Sequence, residues 1–109
     1  MERNIKAEEN SSRVSFFGIT RDHYAHFPAI AKSLDKHAPA AMTIFYEKIG
    51  QTPQLSHFFS SQAAMNSARD KQLNHWQQLF ARPLDDGYFQ RAERIGNVHA
   101  QIGLKPTWY

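Results

Sequence analysis

The chain has 109 residues, 41% hydrophobic and 13% aromatic, with a formal net charge of +3 and no cysteine. That length allows one domain, and the lack of cysteine excludes disulfides and thiolate metal sites. Lysine and arginine are mixed with acids, as in Arg69-Asp70-Lys71 and Arg91-Ala92-Glu93-Arg94, so no basic stripe marks a nucleic-acid partner. No apolar run reaches the roughly 18 residues of a membrane span. Met1 to Arg13 is polar and has no apolar middle segment of the secretory kind. The expectation is a cytoplasmic protein with no membrane and no nucleic acid among its partners.

Residues 1–12 read as a polar N-terminal segment that frays, closed by Ser11-Ser12, ahead of a domain spanning 13–109. Arg13 to Phe17 is a short helix in this reading. Gly18 interrupts it, and Thr20 caps the next helix with Asp22 in its first turn. Tyr24 and Phe27 start an apolar face, which Pro28 breaks or kinks. From Ile30 a helical period continues through Leu34, Ala38, Ala41, Phe45 and Ile49. Pro39 lies inside it and either kinks one long helix or begins a second. Gly50 is the expected C-cap, and Thr52-Pro53 reads as an N-cap followed by proline in the first turn of a helix to about Phe59.

Ser60 or Ser61 caps a further helix whose apolar face runs Met65, Ala68, Gln72, Trp76 and then Leu79 or Phe80. Pro83-Leu84-Asp85-Asp86-Gly87 forms the connection, with an aspartate capping the last helix. Gly103, followed by Pro106, stops that helix. No segment alternates with period two over strand length, so the fold class is all-α. His23 and His26 are three apart, but no third donor completes a zinc-like spacing, and both read as surface residues.

His99 is the chemically distinctive residue. Phe89, Ala92, Ile95, His99 and Ile102 recur at helical spacing, so they share one face. That face is otherwise apolar, and burying a polar ring without a partner costs roughly 2–7 kcal/mol. The spacing leaves two partners open: a backbone carbonyl, or a metal held through a neutral imidazole nitrogen.

The string around it is Arg94-Ile95-Gly96-x-Val98-His99-Ala100-x-Ile102-Gly103-Leu104-x-Pro106-x-Trp108-Tyr109. It resembles the F-helix and FG-corner signature of the globin-coupled sensors, bacterial haem-binding sensor globins. Upstream, His75-Trp76-x-x-Leu79-Phe80 is similar to the end of that family's E helix, and Asp85-Asp86-x-Tyr88-Phe89 to the start of its F helix. Phe45-Tyr46 resembles the B-helix pair, and Phe17-Gly18-Ile19-Thr20 the start of the first globin helix. The likeness runs from about Val14 to the last residue.

The resemblance implies a globin-like fold with haem b as the iron cofactor and His99 as its proximal ligand. Phe45, Trp76, Val98, Ile102 and Trp108 would line the haem slot, and Ala68 would stand where relatives often place leucine. Tyr46 would be the distal donor to bound O2, with CO and NO as competing ligands; a phenol can donate one hydrogen bond. Two departures stand out. Lys71 occupies a distal site where some relatives carry threonine, and its charge forbids a dry pocket, so it snorkels or faces solvent. The string also ends at Tyr109, ahead of the family's G and H helices, so the chain is expected to be part of a longer, homodimeric sensor. That parent's output domain would be of the chemotaxis, histidine kinase or diguanylate cyclase kind.

No nucleophile–base pair, phosphate loop or carboxylate pair occurs, so the chain itself reads as a sensor and not an enzyme. The alternative is a cofactor-free helical interaction domain of globin-like fold. Should His99 fail as ligand, His75 is the next candidate.

Overall fold

The computed structural model describes residues 5–108; Tyr109, the last residue of the C-terminal string, and residues 1–4 of the polar segment lie outside the described residues. The elements in chain order are α1 (Ile5–Phe16), α2 (Arg21–Tyr24), α3 (Phe27–Gly50), α4 (Pro53–Ser56), α5 (Gln62–Leu79) and α6 (Asp86–Ile102), then a single 3-10 turn (Pro106–Trp108). No strand occurs among the described residues. None of their helices is long and apolar enough to cross a membrane. The chain divides into two compact units: His26–Ala81, and the chain up to Ala25 together with that from Arg82 onward.

In the His26–Ala81 unit, α3 packs on both α4 and α5. Pro28 lies in the first turn of α3, where its missing N–H costs nothing. Pro39 is accommodated inside one continuous 24-residue helix, which settles the choice the sequence left open. One turn later the Thr43 hydroxyl donates to the Pro39 carbonyl at 3.1 Å.

The far end of α3 differs from expectation. Gly50 is still helical, and Gln51 closes the helix at φ −87°. A left-handed glycine is therefore not what ends it. A Cβ on Gly50 would lie 3.8 Å from the Met65 thioether of α5, so this end of α3 runs close beside α5. The Thr52 hydroxyl turns back to donate to the Lys48 carbonyl at 2.8 Å instead of capping α4, whose N-cap position it occupies. α4 is one turn long, and Phe58 and Phe59 fall beyond it.

Ser61 does cap α5: its Oγ accepts from the Ala64 N–H at 3.1 Å. The core is centred on Ala38 and Met65, 6% and 8% exposed, with Phe27 edge-on to Phe80 at 4.9 Å.

The other unit pairs α1 with α6. Here α1 begins at Ile5, eight residues ahead of the expected Arg13 start. Its covered row is Ala7, Asn10 and Val14, at helical spacing. The middle member is polar, which hides the row from an apolar count. Asn10 is 8% exposed. Its Nδ2 donates to Asp86 Oδ1 at 3.0 Å, and its Oδ1 accepts from Arg13 Nη1 at 3.3 Å. The Arg13 guanidinium stands 5.9 Å from the centre of the Phe89 ring, and Lys6 pairs with Glu93 at 3.0 Å on the exposed side.

Thr20 occupies the N-cap of α2, and its N–H donates to His23 Nδ1 at 2.9 Å, so His23 has a local capping role.

Candidate functional site

The candidate residues fall into two sets, one in each unit. The first set lies on α6 and beyond. Asp85 starts α6 by accepting the Tyr88 N–H at 2.9 Å, and Arg82 pairs with the same carboxylate at 3.3 Å. The helix ends at Gly103, φ 76°, in the left-handed region that favours glycine. There the Leu104 N–H donates to the His99 carbonyl at 3.0 Å and the Gly103 N–H to the Ala100 carbonyl at 3.2 Å. This closure satisfies the carbonyls of the last turn. It fixes the backbone of His99 itself, one turn from the helix end.

His99 is half-buried. The covered stripe of α6 runs Tyr88, Phe89, Ala92, Gly96 and His99. It passes through Gly96, with Ile95, which the spacing placed on it, at its edge. Ile95 and Ile102 are 37% and 47% exposed, with Val98 at 49% and Trp108, on the 3-10 turn, at 45%. His99 is thus a half-covered imidazole flanked by accessible apolar side chains.

The second set lies on α3 and α5. Ala68, Gln72 and Trp76 follow at four-residue intervals on α5 and so share a face. Ala68 is half-buried and Trp76 is 39% exposed. Tyr46 of α3 meets this face: its hydroxyl donates to Gln72 Oε1 at 2.6 Å, a short bond. The Tyr46 ring lies edge-on to Phe59, with centroids 6.3 Å apart. Burial pushes the Tyr46 phenol above its ordinary value of 10.0, so it keeps its proton and stays a donor at neutral pH. Phe45, its neighbour, is 43% exposed.

Lys71 is exposed and lines an open depression with Ala63, Asn66, Ser67, Asp70 and Asn74. It faces solvent and adds no donor beside Tyr46. A second cleft, of about 490 Å³ between α1 and α6, is bordered by Lys6, Asn10, Arg13, Asp86 and Glu93. That cleft contains none of the slot residues.

Gln72 was not singled out by the sequence as a site residue. The one available signal was its amide inside the apolar row Met65, Ala68, Gln72, Trp76. A half-buried amide gains from a partner, and here the partner is Tyr46. His75, the reserve candidate, is half-buried on α5.

Among the described residues no three His, Asp or Glu side chains gather into a site for a bare metal ion. Haem asks less of the protein, because its macrocycle supplies most of the iron's ligands and a single axial histidine suffices. A half-buried imidazole among accessible apolar side chains fits that demand.

No solved structure matches the chain. The family model described as Protoglobin matches residues 6–109, reaching into α1 well ahead of the Val14 at which the sequence resemblance begins. With nearly the whole chain matched and an all-helical architecture to go with it, this chain belongs to the Protoglobin family and has a globin-like, all-α fold.

Proposed function

We propose that this chain is the haem-binding, O2-sensing globin domain of a bacterial signal-transduction protein, with His99 as proximal ligand and Tyr46 as distal donor. One observation carries the reading. Every large apolar side chain that the sensor-globin resemblance assigns to the slot is left between 39% and 49% exposed: Phe45, Trp76, Val98, Ile102 and Trp108. A flat apolar cofactor against such side chains would remove their surface from water, at about 25 cal/mol per Å². Family membership supports haem and gas binding in general.

In this reading His99 holds the cofactor through a neutral imidazole nitrogen. The apolar set excludes water from its faces, and Ala68 leaves room where a larger side chain would crowd the ligand. Tyr46 keeps its proton at Oη and offers it to a bound diatomic gas. Haem b, when bound, supplies the iron that takes O2, CO or NO. O2 carries more negative charge than CO when bound, so a phenol donor favours it. Chemotaxis, histidine kinase and diguanylate cyclase modules are the output partners in view, in a cytoplasmic homodimer that this domain regulates without being an enzyme itself.

Titration of the purified chain with haem tests this reading. An intense Soret band saturating at one haem per chain is expected. Because haem binds the folded chain, a hundredfold excess over Kd should stabilise it by about 2.7 kcal/mol. The second reading, a cofactor-free interaction domain, draws on Phe16 and Phe17, 84% and 73% exposed and outside the slot set. No Soret band and an unmoved Tm would select it.

A further inference from the structure

The geometry points to Gln72 as the residue that sets gas selectivity, by holding the Tyr46 hydroxyl as its acceptor so that Tyr46 must release Gln72 to donate to an incoming gas. This rests on the proposed function and adds a residue and a direction to it. Tyr46 has one hydroxyl hydrogen, and it is committed to Gln72 Oε1 at 2.6 Å. Donation to a gas therefore exchanges one hydrogen bond for another instead of creating one. Gln72 shares its helix face with Ala68 and Trp76, the two α5 residues assigned to the slot, so the exchange takes place on the slot's own lining. Both partners are half-buried, where water is a poor substitute acceptor.

The consequence is asymmetric. A ligand that accepts a hydrogen bond strongly gains from Tyr46 only the difference between two bonds, so the Gln72 acceptor lowers its affinity. CO, which accepts weakly, does not displace the bond and is nearly indifferent to Gln72. Gln72 thus narrows the margin of O2 over CO that Tyr46 alone would give. It is a positioning residue, acting through Tyr46.

The test uses the full chain in two measurements. In the gas-free protein, ultraviolet resonance Raman spectra isolate Tyr46 as the difference between wild type and Tyr46→Phe. A hydroxyl that donates strongly is expected, and Gln72→Leu should abolish that signature. In the haem-loaded protein, Gln72→Leu should slow O2 dissociation by about threefold to tenfold, the worth of one hydrogen bond, with CO dissociation changed less than twofold. Gln72→Glu, with a stronger acceptor of the same shape, should speed O2 dissociation, and Tyr46→Phe should speed it whatever stands at position 72.

A purely structural role would move both Gln72 variants the same way. That outcome, an unchanged O2 rate in Gln72→Leu, or a Raman signature indifferent to position 72 would overturn the proposal while leaving haem binding intact. A chain that takes up no haem removes the proposed function and the gas role of Gln72 with it, whatever the Raman result.

Discussion

Each of the two units is held by its own kind of contact. In the His26–Ala81 unit the helices meet mainly through apolar side chains, with Ala38 and Met65 buried and Phe27 edge-on against Phe80, and the Tyr46–Gln72 hydrogen bond joins α3 to α5 beside them. In the unit that carries His99 the contacts are polar: Asn10 to Asp86, Arg13 to Asn10 and Lys6 to Glu93, with one guanidinium over Phe89. An apolar contact is insensitive to the exact angle of the groups that make it, whereas a hydrogen bond prefers a narrow range of angles. Tyr46 is therefore held by the packing around it together with its bond to Gln72. The backbone of His99 is held by the bonds that start α6 and the closure that ends it.

The largest way to break this comparison is Met65→Ala. Met65 is the most buried large side chain of the His26–Ala81 unit, and truncating such a residue costs about 2–5 kcal/mol. Urea titration followed by circular dichroism is expected to show that loss. A change below 1 kcal/mol would mean that α3 and α5 do not depend on this contact.

Next comes Asn10→Ala, which leaves the Asp86 carboxylate without its Asn10 donor. The Asp86 carboxylate is exposed and can turn to water, so the expected cost is that of a net hydrogen bond, about 0.5–1.5 kcal/mol. Native-state hydrogen exchange should place it mainly in α1 and the first turns of α6. Equal loss of protection in α3 and α5 would contradict the division of forces drawn above.

The smallest effect concerns pH. Burial holds the Tyr46 phenol above its ordinary value of 10.0. The folded chain thus keeps a proton that the unfolded chain gives up. The associated stability is present in full below pH 10 and is lost as pH rises through the folded value. Tyr46→Phe should flatten this alkaline decline. Melts collected from pH 8 to 11 check it, and identical slopes in the two proteins would count against a buried Tyr46.

The difference between the units also explains what the sequence could disclose. The helices from α3 to α6, a serine cap at 60 or 61, an aspartate cap and the Gly103 stop were readable, because each signal belongs to one residue and its near neighbours; the period nevertheless put Ile30, Ala41 and Phe45 on the covered row of α3, where the structure covers Ala31, Met42 and Tyr46 instead. The start of α1 was hidden, since its covered row runs through Asn10, whose partner Asp86 is 76 positions away. The Thr52 side chain had two nearby backbone bonds to choose between, and the sequence does not rank them.

The site shows the same divide. His99 and Tyr46 were visible as polar groups in family-like strings; the structure leaves both half-buried, and their roles belong to the proposed function. Gln72 was visible only as an oddity in an apolar row, because its meaning lies in a bond between two helices. Ile102 was placed on the covered face of α6 by its helical period, yet it is 47% exposed, because the period does not say where along the helix its partners end.

The central claim, that His99 holds haem, is tested most directly by the absorption spectrum of His99→Ala beside wild type and His75→Ala. The account expects an intense Soret band in wild type and in His75→Ala, and its loss in His99→Ala with helical circular dichroism largely retained. Stoichiometric haem with an unchanged spectrum in His99→Ala would contradict it.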